Sequence, residues 1–164
     1  MAKLTFQSNG IDTYIKFLDT IGKGSTGMIK RAVYDGAAVI GQSIANGINS
    51  LPTAKDQFIP SDLPITGITE AQKRGLLEGG GFAKMQNDNG YINTKWGFDG
   101  YNSVKTKKYP NGQPNALIAN AVNSGTSRRP KTNFINKAVK SSKAAAEAAM
   151  SARFDEDMSE LTKE

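Results

Sequence analysis

The chain has 164 residues, a net charge of +6, 38% apolar residues and 17 glycines. It is long enough to bury one core, but it is short of apolar side chains and rich in backbone freedom. It contains no cysteine and no histidine, which excludes disulfide staples, thiolate zinc sites, cysteine nucleophiles and histidine general bases. No stretch approaches the ~18 apolar residues of a membrane span, and Met1-Ala2-Lys3-Leu4-Thr5-Phe6 lacks the apolar core of a signal peptide. The expectation is one soluble domain over residues 1–164, made in the cytoplasm, with no membrane partner.

In chain order, Leu4 to Gln7 reads as a short strand. Ser8 or Asn9 is placed to cap a helix carrying Ile11, Tyr14, Ile15 and Leu18 at helical spacing and ending near Gly22. A second, longer helix is predicted from Ser25 or Thr26 to about Ser50. Its apolar stripe is Ile29, Val33, Ala37, Ile40, Ile44, Ile48 and Leu51, and Pro52 stops it. Gly36, Gly41 and Gly47 lie inside this helix at roughly 1 kcal/mol each against alanine, a cost that marks either a close backbone approach or a weak spot.

Pro52, Pro60 and Pro64 keep residues 52–67 irregular, and this segment is read as a mobile loop. Thr69 caps a short helix through Glu78 with Leu76 and Leu77 inward, and Gly79-Gly80-Gly81 breaks it. Phe82–Gln86 and Tyr91–Phe98 then flank Asn87-Asp88-Asn89-Gly90, a turn of residues that tolerate positive φ. Ile92, Thr94, Trp96 and Phe98 alternate onto one face, the core side of a half-buried hairpin.

Residues 99–115 form a polar connection with no apolar period, read as a second mobile loop. Ala116–Asn123 reads as a short helix, broken by Gly125-Thr126-Ser127-Arg128-Arg129-Pro130. A last helix is predicted from a Thr132 cap to about Leu161, with Ile135, Val139, Ser142, Ala146, Ala149, Arg153 and Phe154 on one side. Its alanine-rich centre favours helix with little bulk, and its end is read as a tail with some freedom to move. These elements define an α+β fold, a small antiparallel sheet from the central hairpin packed on a long helix, with a long C-terminal helix beside them.

The motifs for enzymatic chemistry fail on context. Gly22-Lys23-Gly24-Ser25-Thr26-Gly27 has G-x-G-x-x-G spacing, but a helical pattern precedes it where a dinucleotide turn needs a strand. No acidic residue follows at the ribose-binding distance. A flexible joint between two helices is the better reading. Asp88 and Asp99 near the hairpin, and the acids of the tail, lack the paired environments that general acid–base work requires. No calcium-loop pattern occurs, so neither a cofactor nor a metal is expected, and the chain is read as non-enzymatic.

Charge is segregated along the sequence. Between Gly100 and Ala146 there is no acidic residue, while Lys105, Lys107, Lys108, Arg128, Arg129, Lys131, Lys137, Lys140 and Lys143 are basic. Glu147, Asp155, Glu156, Asp157, Glu160 and Glu164 then reverse the sign. Along one helix this order opposes the dipole, which favours acids at the N-terminal end. A basic block followed by an acidic end fits nucleic-acid binding or the mating of subunits head to tail.

The stretch Ala116–Ala138 resembles the signature of the tail-completion (minor tail or neck) family of long-tailed bacteriophages. In that family a short helical turn leads into Gly-Thr-Ser, a basic bend and an aromatic residue that opens the terminal helix. Ser124, Gly125, Thr126, Ser127, Arg128, Lys131, Thr132, Phe134 and Ala138 carry the likeness. Gly97-Phe98-Asp99-Gly100-Tyr101-Asn102 and Lys108-Tyr109-Pro110-Asn111-Gly112 are similar to one Gram-positive-type branch. Asn133 departs from the proline usual at the first helical position.

The resemblance implies a structural virion subunit at the head–tail junction, a ring, by analogy a hexamer, at the head-proximal end of the tail around the DNA path. Its implied partners are other copies of itself and the tail terminator or head-completion (connector) proteins, with weak nonspecific contact to DNA in the lumen. Gly125, Thr126, Ser127, Arg128, Arg129, Lys131 and Phe134, together with Asp155, Glu156 and Asp157, are the expected assembly residues. Lys105, Lys107 and Lys108 are expected to reach the DNA path or a neighbouring ring. The alternative is a basic nucleic-acid-binding phage protein, for which Tyr101, Tyr109 and Phe134 supply stacking surfaces among the cations.

Overall fold

The computed structural model describes residues 9–54 and 64–161, without the side chains of residues 9–21 and 23. The strand expected at Leu4–Gln7 lies outside these residues, as does most of the 52–67 loop. The fold is α+β, as the elements predict. In chain order it comprises α1 (Asn9–Asn49), α2 (Glu70–Gly79), β1 (Gly80–Phe82), β2 (Gln86–Asp88), β3 (Tyr91–Asn93), β4 (Trp96–Phe98), α3 (Asn115–Ser124) and α4 (Phe134–Leu161).

The two helices expected before Pro52 are one. Helix α1 runs for 41 residues, and Gly22–Gly27 forms no joint. Glycine makes a helix cheaper to break but does not break it. Here the helix is tied down just beyond the glycines, where Met28 is 1% exposed and the Arg31 Nε donates to Asp157 Oδ2 at 2.9 Å. Ser25 Oγ donates to the Gly22 carbonyl at 2.9 Å within the same stretch.

The α1–α4 pair is the spine of the molecule, and its buried line differs from the apolar stripe. Met28, Ala32, Ile44 and Ile48 are buried, whereas Ile29 is 39% exposed. The line passes through Gly36 and Gly41, which a hydrophobicity pattern does not count. A Cβ on Gly36 would fall on Met150 and within 3.1 Å of the Ala146 carbonyl, and one on Gly41 would fall on the Trp96 ring. Of the two readings open for these positions, Gly36 is a close approach to the α4 backbone and Gly41 to the Trp96 side chain, while a Cβ on Gly47 would meet Phe134 at an ordinary 3.6 Å. On α4 the buried line is Phe134, Ala138, Ser142 and Ala146, leading to Asp157. Val139 and Phe154, expected inward, are largely exposed.

Helix α2 starts with a complete capping box. The Thr69 hydroxyl accepts from Gln72 N at 3.2 Å, and Gln72 Oε1 accepts from Thr69 N at 3.1 Å, which satisfies donors the helix end would otherwise leave open. Leu76 is fully buried, but Leu77 faces out at 38% exposure. The helix passes directly into β1.

The hairpin turns on Asn89 and Gly90, both at positive φ (55° and 91°), the requirement of a two-residue primed turn. It carries two short ladders, β1 with β4 and β2 with β3. Between them residues 83–85 oppose residues 94–95, so one extra residue bulges and shifts the register by one. Trp96 packs edge-on against Phe82 at 4.8 Å between ring centres and lies against the core of Ile44, Ile48, Leu76, Ile118, Val122 and Phe134.

The connection between β4 and α3 is polar, and its anchors are amides. Tyr101 bridges Pro114, and Asn102 N donates to the Gln113 carbonyl at 2.9 Å. Asn115 Nδ2 donates to the Asp99 carbonyl at 2.8 Å, and Gln72 Nε2 to Gln113 Oε1 at 2.7 Å. Asn102 and Asn115 are 4% and 3% exposed, and Val104 packs inward with them.

Candidate assembly surface

Gly125 ends α3 at φ 81°, and its N–H donates to the Ala121 carbonyl at 3.1 Å. That positive φ is open to glycine at little cost. Thr126 and Arg129 then exchange main-chain bonds of 2.9 and 3.2 Å, and the Thr126 hydroxyl accepts from the Arg128 and Arg129 amides at 3.4 and 3.1 Å. The result is a tight turn stiffened from inside by a threonine side chain.

The turn also binds the segment before α2. Ile65 N donates to the Arg128 carbonyl at 2.7 Å, and the Arg129 guanidinium donates to the Gly67 carbonyl. Burial lowers the Arg129 pKa from its usual value; the group stays cationic at neutral pH because arginine titrates so high. Arg129 is thus a tie within the subunit. Thr126, Ser127 and Lys131 are exposed and form the outward part of the bend.

The start of α4 is fixed from α3. Thr132 Oγ1 donates to the Val122 carbonyl at 2.8 Å, Asn133 N donates to the Asn123 carbonyl at 3.0 Å, and Asn123 Oδ1 accepts from Ile135 N at 3.0 Å. Phe134 is 5% exposed and belongs to the core, so this expected contact residue faces the subunit's own interior. Asn133 lies at φ 55°, a conformation asparagine tolerates and proline cannot reach. Asparagine and proline are therefore not equivalent at this helix start. Asn133→Pro is expected to lose about 3 kcal/mol, from a forbidden φ and a lost donor. Asn133→Gly should stay within about 0.5 kcal/mol, since glycine occupies this region freely. Urea melts of both variants check the contrast.

Along α4 the two signs of charge fall into different environments. Lys137, Lys140 and Lys143 are exposed in its first half, and Asp155 and Glu156 are exposed near its end. Asp157 is 4% exposed. Besides the Arg31 contact, its carboxylate lies 3.5 Å from Arg153 Nε, and Arg153 also reaches Asp35 at 3.8 Å and Glu156 at 3.2 Å. Of the three expected acidic contact residues, Asp157 is committed to holding α4 on α1, and Asp155 and Glu156 remain at the surface.

At the opposite end of the spine, where Ser43 Oγ donates to the Ala138 carbonyl at 3.2 Å, α1 and α4 line a groove of about 620 Å³. Leu51, Phe134 and Ala138 line it with apolar atoms, Ser43, Asn46 and Ser141 add polar groups, and Lys131 and Lys137 stand at its edge. Lys105, Lys107 and Lys108 are not among its lining residues. They are exposed around a separate tight turn in which Thr106 and Tyr109 exchange main-chain bonds of 3.1 and 3.0 Å, with Lys108 Nζ 5.5 Å from the Tyr109 ring centre.

Among the described residues no three acidic side chains gather as a metal-holding group, and no helix is long and apolar enough to cross a membrane. Asp88 accepts from Asn93 Nδ2 at 2.9 Å at the hairpin tip, while Asp99 follows β4 with its N–H bound to the Gly79 carbonyl at 2.8 Å. Arg31 and the Gln72–Gln113 and Asn102–Asn115 amides, central to the structure, carry no signal in a linear pattern because their partners are distant in sequence. No protein-family model matches the chain, and no curated protein or solved structure does.

Proposed function

We propose that the chain is a non-enzymatic structural subunit of a phage head–tail junction, forming a ring at the head-proximal end of the tail around the DNA path. One observation carries the reading beyond the resemblance: along α4 the exposed cations Lys137, Lys140 and Lys143 occupy the first half and the exposed acids Asp155, Glu156 and Glu160 the end, where α1 carries Lys30 and Arg31. A closed ring joins unlike faces of identical subunits, and a helix with exposed lysines toward one end and exposed acids toward the other supplies such faces.

The bend from Gly125 to Lys131 serves this role by fixing the entry of α4, with Thr126, Ser127 and Lys131 available to a neighbour. Lys105, Lys107 and Lys108, presented together on one turn, suit a polyanion or the adjacent connector or terminator ring. Contact with DNA in such a lumen is weak and salt-dependent. The subunit is accordingly a virion component that uses no cofactor and meets no membrane.

An amber mutation in the gene for this chain tests the proposal in the phage that encodes it. Filled heads and separate tails are expected to accumulate unjoined in negative-stain images. Finished, infectious particles made without the chain would refute the junction role.

A further inference from the structure

We propose that the groove between the C-terminal end of α1 and the N-terminal end of α4 receives the acidic end of α4 from a second copy of this chain. The inference rests on the ring reading and specifies the contact that would close it. The groove has an apolar floor, with Leu51, Phe134 and Ala138 at 7%, 5% and 6% exposure, and two exposed lysines, Lys131 and Lys137, at its edge.

The complementary element is on the same helix. Asp155 and Glu156 are exposed, and Asp157 below them anchors the helix end to α1 through Arg31, so the acids are presented on a supported surface. From Lys137 to Glu156 the helix advances about 28 Å. Donor and acceptor therefore lie on well-separated parts of one subunit, as a heterologous interface that repeats from copy to copy requires.

The charge order of α4 supports the same occupant. Asp155 and Glu156 lie before the last turn of α4, where the effect of the dipole has largely decayed, so their charge rather than a helix-end penalty is what a partner would use. Placed beside Lys131, Lys137 and the start of a neighbouring α4, they meet cations and the positive end of another dipole. The Asn46 side-chain amide can donate to a carboxylate, whereas the Ser43 and Ser141 hydroxyls already donate to the Ala138 carbonyl; Leu51 and Ala138 suit the methylene stems that carry the acids.

The test uses the full chain in sedimentation velocity across concentration and salt. The wild type is expected to self-associate, more weakly at high salt because exposed charges are screened. Lys131→Glu with Lys137→Glu, and separately Asp155→Lys with Glu156→Lys, should each lower the association constant on the order of 100-fold. Mixing the two variants should restore it, since each then offers the sign the other lacks. All four positions are exposed, but Glu156 also lies 3.2 Å from Arg153, so Asp155→Lys alone is measured beside the double variant, and an unchanged thermal midpoint verifies the folding of each.

A wild type that remains monomeric at millimolar concentration overturns the inference, as does association indifferent to the reversals or unrestored by mixing. In the last two cases a ring survives with another contact, so the inference fails without the junction role. If the groove reversal instead abolishes retention of duplex DNA and leaves self-association intact, the groove is a phosphate site and the proposal is wrong.

Discussion

Asp157→Asn is expected to lower the unfolding free energy by about 2 kcal/mol, because the buried carboxylate holds two arginines, Arg31 and Arg153, and both charge-assisted contacts are weakened when its charge is removed. The carboxylate side chain is 3% exposed and lies 2.9 Å from Arg31 Nε. The figure is below that for a fully buried pair because the Arg31 side chain is 50% exposed and regains water when its partner is lost. Asparagine keeps the shape and the oxygen but not the charge, so the loss reads the ion pair and not a cavity. A double-mutant cycle with Arg31→Ala should give a coupling above about 1 kcal/mol. The same cycle on Lys143 and Glu147, exposed and 3.8 Å apart, should give under about 0.5 kcal/mol. Equal couplings would mean that Asp157 is only another surface acid.

Gly75→Ala is the second large effect, and its sign opposes helix propensity. Alanine in a helix interior gains roughly 1 kcal/mol over glycine. At Gly75, however, the new Cβ would lie 2.5 Å from Asn102 Cβ, 2.6 Å from Asn115 Oδ1 and 3.2 Å from Asn102 Cα. Asn102 cannot retreat without moving the backbone that bonds to Gln113, so α2 and the 99–114 connection must separate. Overpacking of this kind costs about 3 kcal/mol, for a net loss of about 2 kcal/mol in a denaturant melt. Gly24→Ala is the control. Nothing lies within 4 Å of its added Cβ, and it should stabilise α1 by up to about 1 kcal/mol. A Gly75→Ala variant as stable as Gly24→Ala would remove the close packing of α2 on this connection.

The elements themselves were legible where local chemistry decides them. Thr69 announces a helix start, Asn87-Asp88-Asn89-Gly90 announces a hairpin turn, and the apolar spacing of Ile40, Ile44 and Ile48 gives the face of α1 that meets the core. Legibility failed where a partner decides. The N-terminal half of the buried line on α1 runs through Met28, Ala32 and Gly36, one position from the apolar stripe at Ile29, Val33 and Ala37, because α4 presses closest where there is no side chain. The glycines at 22–27 looked like a joint because each weakens a helix, while the Met28 and Arg31 contacts that sustain it lie on another element. The 99–114 connection lacked apolar period because its anchors, Asn102, Asn115 and Gln113, are buried as hydrogen-bonded amides.

For the candidate surface the lesson concerns charge. A run of acids from Asp155 to Asp157 reads uniformly in one dimension, but a helix turns about 100° per residue and sends neighbours to different faces. Asp157 points at Arg31, and Asp155 and Glu156 point away. Arg129 and Phe134 likewise sit within the basic bend that resembles a phage tail-completion signature, yet one ties Gly67 and the other fills the core. The bend thus holds the fold together, and the residues it leaves outward, Thr126, Ser127 and Lys131, are the ones available to another molecule.

The proposed junction role is tested most directly by cryo-electron microscopy of intact phage particles from the source of the chain, focused on the neck. The account predicts a ring of this chain between the head connector and the tail tube, with the α1–α4 spine of each copy recognisable. Density for the chain elsewhere in the particle, or none at all, would contradict it.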